Sequence, residues 1–526
     1  MNIRYPIILI LLIVGLLSIM AAPVDAATIT VTNTNDSGPG SLRQAIASAA
    51  AGDTIDFSVT GTITLTTGQL TIGKNLTITG PGPTSLTIHG NNSSRIFMVN
   101  SGFTLNLSGV TITDGRASDP TGWGGGIAIE GTLNISSSVI TNCLANGSGN
   151  GFGGGIDNYG GTVTMTNCTV SGNTANNEGG GIRNENGTVT ITESTISGNS
   201  SDKGGGIANY STTGSTIDVI RSTIYNNNAT AGGSNFGGGI FSDGGTLTLT
   251  NSTVSGNNAG GGGGGIIDGA AVNMTITQCT IAYNNSTNGG GGIELLATSA
   301  NIKNTILANN TGGGGNNFFD GGSGALNSQG YNLANDAVAA FVSTGDQQNA
   351  TPNLAAIASN GGPTQTHALQ AGSDAIDKIP EGGNSYNGAP ATDQRGYGRT
   401  GTNYDIGAFE YQGKPFISGN AGVAGATLSY NDGGPQTATA DGSGNYSFYV
   451  TYNWSGTVTP SQTGYSFTPT NRTYTNVTLA QTNQDYTAAP GYIISGTVTD
   501  GTNPIQGVTI TFSHDGHTET TAADGT

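Results

Sequence analysis

The apolar positions of this chain fall in short alternating runs. In "GTVTIT" (187–192), Val189 and Ile191 alternate with threonine; in "STISGN" (194–199), Ile196 stands alone among polar residues. A period of two predicts strands with one buried face. No run inside the repeat is long enough for a helix. Each such pair follows a triple glycine and an isoleucine, at Ile127, Ile156, Ile182, Ile207, Ile240, Ile266 and Ile293, with gaps of 25 to 33 residues. A recurrence of this length marks stacked structural units. Three short strands per unit, separated by tight bends, make one triangular coil. Stacking the coils pairs each strand with its counterpart about 4.8 Å above and below. The predicted fold class is all-β, a right-handed parallel β-helix solenoid. The same pattern without glycines runs upstream through Leu70, Ile96 and Gly109. From Ile55 to Ile306, at about 28 residues per coil, that gives about nine or more coils and a rod some 40 Å long.

Polar residues align as well. Matching "TISGN" between units puts Asn173, Asn199, Asn227, Asn257, Asn284 and Asn309 in one column. Stacked amides hydrogen-bond one another, so such a column satisfies itself when buried. Asn158, Asn184 and Asn209 form a shorter column; Cys168, Ser194, Ser222, Ser252 and Cys279 form one of small residues. Cys143 falls in the first asparagine column. Cys168 and Cys279 lie four coils apart, roughly 19 Å, far beyond the 7 Å or so that a disulfide spans. No disulfides are expected, and the three thiols read as small core residues. A solenoid end is an open sheet edge and needs cover. "SLRQAIASAAAGDT" (41–54) supplies a short capping helix, with Ser41 and Gln44 as a capping box, an apolar face at Leu42, Ala45, Ile46 and Ala49, and Gly52 as the stop.

Composition narrows the setting. Of 526 residues, 90 are glycine; 14 basic residues stand against 32 acidic ones, a net charge of −18 without a basic stripe. Nucleic acid is therefore not an expected partner. Arg4, an apolar run from about Ile7 to Met20 and "PVDA" ending at Ala26 read as a secretory signal peptide over 1–26, removed on export. The expected location is secreted, extracellular or bacterial cell-surface, with no membrane span in the mature chain.

Past Thr311 the period fades. "NSQGYNLA" and "DQRGYGRTGTNYDIGAFEY" (393–411) read as a C-terminal cap over 311–411, after a β-helix over 27–310. A β-sandwich module follows over 414–489, with Tyr446, Phe448, Tyr452 and Trp454 as aromatics; a second begins at 490 and stops at 526, as if truncated. At these residues the chain resembles known families. "SLRQAI" is similar to the SLREAI-type start of secreted bacterial β-helix proteins. "DQRG…DIGAFE" resembles the end of the choice-of-anchor Q domain, and the GGGI coils resemble repeats of polymorphic outer-membrane proteins. The last 113 residues, from Lys414, look like tandem transthyretin-like, carboxypeptidase-regulatory modules. The resemblance implies a surface or secreted protein held by an exchangeable anchor, and brings no agreed catalytic site.

The glycines do not form a phosphate loop: Gly-Lys occurs only at Lys74 and Lys414, followed by Asn75 and Pro415. No nucleophile elbow or zinc helix is present. "DGSGNY" (441–446) has Tyr446 where a calcium loop needs glycine, so no metal or other cofactor is assigned, and calcium has no specific motif. No catalytic residue is assigned. The alternative, a polysaccharide lyase or glycoside hydrolase, needs paired carboxylates or calcium-holding aspartates beside a base. Only six Lys or Arg lie between Arg95 and Lys303. Arg183 follows GGGI in the column of Asp157 and Ala208, predicting a surface ion pair worth at most about 1 kcal/mol. Just past the bends, Tyr159, Glu185, Tyr210 and Asp243 complete an expected outward face. It suits an extracellular glycan or a surface protein. The expectation is a non-catalytic adhesin-type stalk, with the carbohydrate-active enzyme as alternative.

Overall fold

The computed structural model describes residues 26–118, 122–147, 151–212, 214–229, 236–380, 386–399, 402–411, 415–451, 454–477, 480–491, 495–511 and 518–526. The expected leader falls outside these except for Ala26, as do Lys414 and Tyr452. No helix among the described residues is long and apolar enough to cross a membrane. The chain divides into two compact units, Met1–Glu410 and Tyr411–Thr526.

The first unit is a parallel β-solenoid of about eleven turns, with almost no helix. One lateral sheet has eleven strands in strict sequence order, from Gly61–Thr64 to Leu333–Ala334. The spacing predicts about nine or more coils between Ile55 and Ile306; coiling also continues past residue 310. Strands Phe318–Asp320, Leu326–Ser328 and Leu333–Ala334 pair in register with Ile293–Leu295, Ala300–Lys303 and Ile306–Ala308. The expected boundary at 310 therefore cuts through the stack. This last coil carries no GGGI marker, which is why spacing alone missed it.

One coil shows the construction. Strands Ile182–Glu185, Thr188–Thr192 and Thr195–Ser197 are separated by two-residue bends, each with one left-handed residue, Asn186 (φ 55) and Glu193 (φ 49). Ile182, Val189, Ile191 and Ile196 are fully buried in one core running the length of the stack. Burial of each such side chain contributes about 1.5–3 kcal/mol before chain entropy is counted. A two-residue fourth strand, as at Thr174–Ala175, adds a side that the triangular reading lacked. The triple glycine turns the chain back, and each glycine has its own reason. Gly179 sits at φ +66; a Cβ on Gly180 would stand 2.4 Å from the Gly205 carbonyl oxygen of the next coil; one on Gly181 would press on the Asn199 amide at 3.0 Å.

The asparagine ladder is present with one correction. Each Nδ2 donates to the next Oδ1 along Asn173, Asn199, Asn227, Asn257, Asn284 and Asn310, at 2.9–3.0 Å. The last rung is Asn310, not Asn309. Asn309 takes the left-handed position (φ 57) that Tyr283 and Asn226 hold one residue ahead of their rungs; the doubled asparagine shifted the alignment. Asn158, Asn184 and Asn209 stack as expected at 2.7 and 3.0 Å. Cys143, Cys168 and Cys279 are free and buried. Burial pushes their thiols up to about 12, 11 and 12.

The solenoid's first turn is covered by the helix Leu42–Ser48, which buries Leu42, Ala45 and Ile46. Ser41 Oγ accepts the Gln44 backbone N–H at 3.2 Å. The helix ends at Ser48, not Gly52: Asp53 accepts the Ala50 N–H at 2.8 Å, and Lys74 donates to the Ala49 carbonyl at 2.7 Å. At the other end Val338 and Phe341 join the long core. The rest of the region read as a cap lies along the flank. Thr223 and Thr253 on the eleven-stranded sheet hydrogen-bond Gln365 and Gln394 at 2.6 Å, and Ser255 meets His367 at 2.8 Å.

The second unit is built of antiparallel pairs. Pro435–Thr439, Thr427–Asn431, Trp454–Ser461 and Arg472–Val477 make one sheet; Phe416–Asn420 pairs with Asn445–Tyr449, and Tyr465–Thr468 with Thr487–Pro490. Tyr446, Phe448 and Trp454 lie in its core with Ile417, Leu428 and Val458. Asp441 accepts the Ser443 and Asn445 backbone N–H groups at 2.8 and 2.9 Å, so "DGSGNY" closes as a turn.

Candidate functional site

The six residues expected on an outward face divide into two columns. Tyr159, Glu185, Tyr210 and Asp243 are paired in register on four successive coils. Tyr159 is 42% exposed and its ring stacks on Trp123, centroids 5.0 Å apart. Glu185, Tyr210 and Asp243 are half-buried. These four do form a line at one-coil spacing.

Asp157 and Arg183 do not share that face. Asp157 is 1% exposed and Arg183 4%, so the expected surface pair is a buried one. The cause is a row the sequence reading missed. Trp123, Phe152, Glu178, Lys203 and Phe236 bridge one another in parallel, each immediately before its triple glycine. The bend folds this row over the column after GGGI. Arg183 lies 4.0 Å above the Phe152 ring centroid, donates from Nε to Glu178 at 3.1 Å and from Nη1 to Asp157 at 3.3 Å, and pairs through Nη2 with Glu185. Lys203 stands 3.7 Å from Glu178. The signal was legible: the residue before each of the first five triple glycines is aromatic or charged.

One buried guanidinium thus faces three carboxylates, Asp157 and Glu178 buried and Glu185 half-buried at the rim. Burial pushes the Asp157 carboxyl up to about 6, with Arg183 offsetting only part of the desolvation. Asp157 Oδ2 has no partner, which leaves room for a proton there. Burial opposes the charge of Arg183, but Asp157, Glu178 and Glu185 hold its pKa above the ordinary arginine value. Further along the same columns Ala208, Phe241 and Ile267 make a small apolar patch. Glu294 then accepts the Gly263 and Gly290 backbone N–H groups at 2.8 and 2.9 Å, with its carboxyl raised by burial. These arrangements hold loops to one another. Substrate access to Asp157 or Arg183 is closed by the covering row. Among the described residues no group of three or more His, Cys, Asp or Glu side chains stands ready for a metal ion.

"DQRG…DIGAFE" has an equally structural placement. Gln394 Nε2 donates to Thr223 Oγ1 at 2.8 Å and to Thr364 Oγ1 at 2.9 Å. Arg395 pairs with Asp393 at 2.6 Å and lies 3.7 Å over the Phe409 ring. Arg399 joins Glu410 at 2.9 Å to Asn251 at 3.0 Å. All five are nearly or fully buried, so this motif is a clasp onto the solenoid flank.

No family model and no curated protein matches this chain. A solved structure named "Geobacillus virus E2 - ORF18" is similar to it at 12% identity and a TM-score of 0.36, over 95% of this chain and 85% of that one. The likeness is too loose to bear on activity.

Proposed function

We propose that this protein is an exported, non-catalytic surface or matrix protein, a right-handed β-helix stalk that presents a glycan- or protein-binding face. The reading includes a choice-of-anchor Q region at the end of the first unit and transthyretin-like sandwich modules in the second. The observation that carries it is the line Tyr159, Glu185, Tyr210 and Asp243, at about 4.8 Å per coil, edged by the stacked Trp123 ring. Regularly spaced aromatics and acids on a rigid sheet offer stacking and hydrogen bonding to an extended ligand. The chemistry of the buried charges supports the non-catalytic half: a general acid or base must reach the substrate, and Asp157 and Arg183 are covered. The test is a panel of acidic and neutral polysaccharides, with and without calcium, incubated with the mature chain and scored for reducing ends and unsaturated products. Any turnover above a heat-inactivated control would refute the non-catalytic reading. Retention on immobilised glycans or matrix proteins that is lost in Tyr159→Ala/Tyr210→Ala would identify the face.

A further inference from the structure

The second unit holds an open groove of about 740 Å³ between the strands Thr427–Asn431, Trp454–Ser461 and Tyr465–Thr468. Its lining includes Thr427, Ser461, Gln462, Tyr465, Phe467 and Thr470, and no charged residue contributes to it. In a chain of net charge −18, an uncharged concavity of ligand size is selective in itself: pockets that hold small ligands span roughly 300–1,000 Å³. Tyr465 is 38% exposed while Phe467, two residues on in the same strand, is 8% exposed, so one ring is offered at the surface and the other is packed into the core. Gln462, half-buried, adds an amide to the lining.

We propose that this groove binds a neutral oligosaccharide. The Tyr465 ring would stack on the C–H face of one sugar, the Gln462 amide would hydrogen-bond a sugar hydroxyl, and Ser461, Thr427 and Thr470 would exchange hydrogen bonds with the neighbouring units. The absence of charge in the lining disfavours uronic acids, and the open ends suit a linear chain. The proposal goes beyond the reading of the solenoid face and does not rest on it.

Calorimetric titration of the mature chain with cellohexaose, xylohexaose, mannohexaose and N-acetylchitohexaose tests it, with hexagalacturonate and an uncharged hexapeptide as the other arms. The expected result is binding of at least one neutral hexasaccharide. Tyr465→Ala and Gln462→Ala should each weaken it by about tenfold or more, while Tyr465→Phe keeps it. Tyr159→Ala, in the other unit, should leave it unchanged. Unchanged thermal melts of the variants exclude unfolding as the cause. Binding to none of the four, preference for hexagalacturonate or the peptide, or affinity that survives both alanine substitutions would each overturn the proposal. Loss of binding in Tyr159→Ala alone would overturn it too, while favouring the solenoid face as the glycan site.

Discussion

Replacing Asn227 by alanine tests the internal ladder at its centre. Asn227 Oδ1 accepts both the backbone N–H of Asn199 at 3.0 Å and its Nδ2 at 2.9 Å; its own Nδ2 donates to Asn257 Oδ1 at 3.0 Å and to the Ile196 carbonyl at 2.9 Å. Alanine removes all four bonds. Some losses are cushioned: Asn199 Nδ2 keeps the Val170 carbonyl, and Asn257 Oδ1 keeps the Asn227 backbone N–H. The Asn199 backbone N–H is left with no acceptor in a fully buried setting. One orphaned backbone donor at about 1–3 kcal/mol, with weaker losses around it, gives an expected destabilisation of about 3–5 kcal/mol. Because a solenoid opens locally, the assay is native-state hydrogen exchange followed by mass spectrometry. Peptides covering 196–200 and 224–230 should lose protection, and those covering 55–90 should not. The outer-face control Thr190→Ala should change protection by less than about 0.5 kcal/mol. Asn227→Ala with an effect no larger than that control would refute the claim that the ladder satisfies buried backbone.

Arg183→Met leaves Asp157, Glu178 and Glu185 facing one another without their cation; urea unfolding should report a loss of about 3–5 kcal/mol, against less than 1 for a surface pair. Asp157→Asn should act in the opposite direction above pH 6. The folded carboxyl is raised to about 6 from 3.8, so the native state binds the extra proton and its contribution to stability is full below about pH 4 and lost as pH rises through 6. The wild type should therefore lose stability between about pH 4 and 7 relative to Asp157→Asn, and parallel pH profiles would contradict the assignment. Gln394→Ala removes the clasp's bonds to Thr223 and Thr253. Limited proteolysis should then cut within 351–410 faster, with the coils themselves still resistant; an unchanged cleavage rate would argue against the clasp.

The periodic features of the solenoid were readable because each is enforced by stacking. Ile182 must fill the core, Asn199 must meet another asparagine, and Gly180 must clear a carbonyl oxygen, so the residue type recurs with the coil. What spacing could not show was the crossing of one column over another. Asp157 and Arg183 occupy outward positions of a strand, and strand alternation alone puts them in solvent; the row from Trp123 to Phe236 buries them. The doubled asparagine at 309 and 310 misled for a local reason: the left-handed position and the rung accept the same residue type. The flank clasp was hidden because Thr223 and Gln394 are far apart in sequence and the segment between 351 and 410 has no period. In the groove of the second unit, Gln462 and Tyr465 carry no motif: they close one turn, the Tyr465 N–H donating to the Gln462 carbonyl at 3.1 Å, and only the fold brings Thr427 beside them.

The amides of the ladder all point one way, each passing a hydrogen to the next coil. Such a chain can be lengthened or shortened only by whole rungs, since a partial coil would bring a donor opposite a donor or a threonine opposite an asparagine. The gene is thereby free to add or remove coils as units while forbidden smaller steps, and the length of the solenoid becomes a quantity set by counting, in increments of about 4.8 Å.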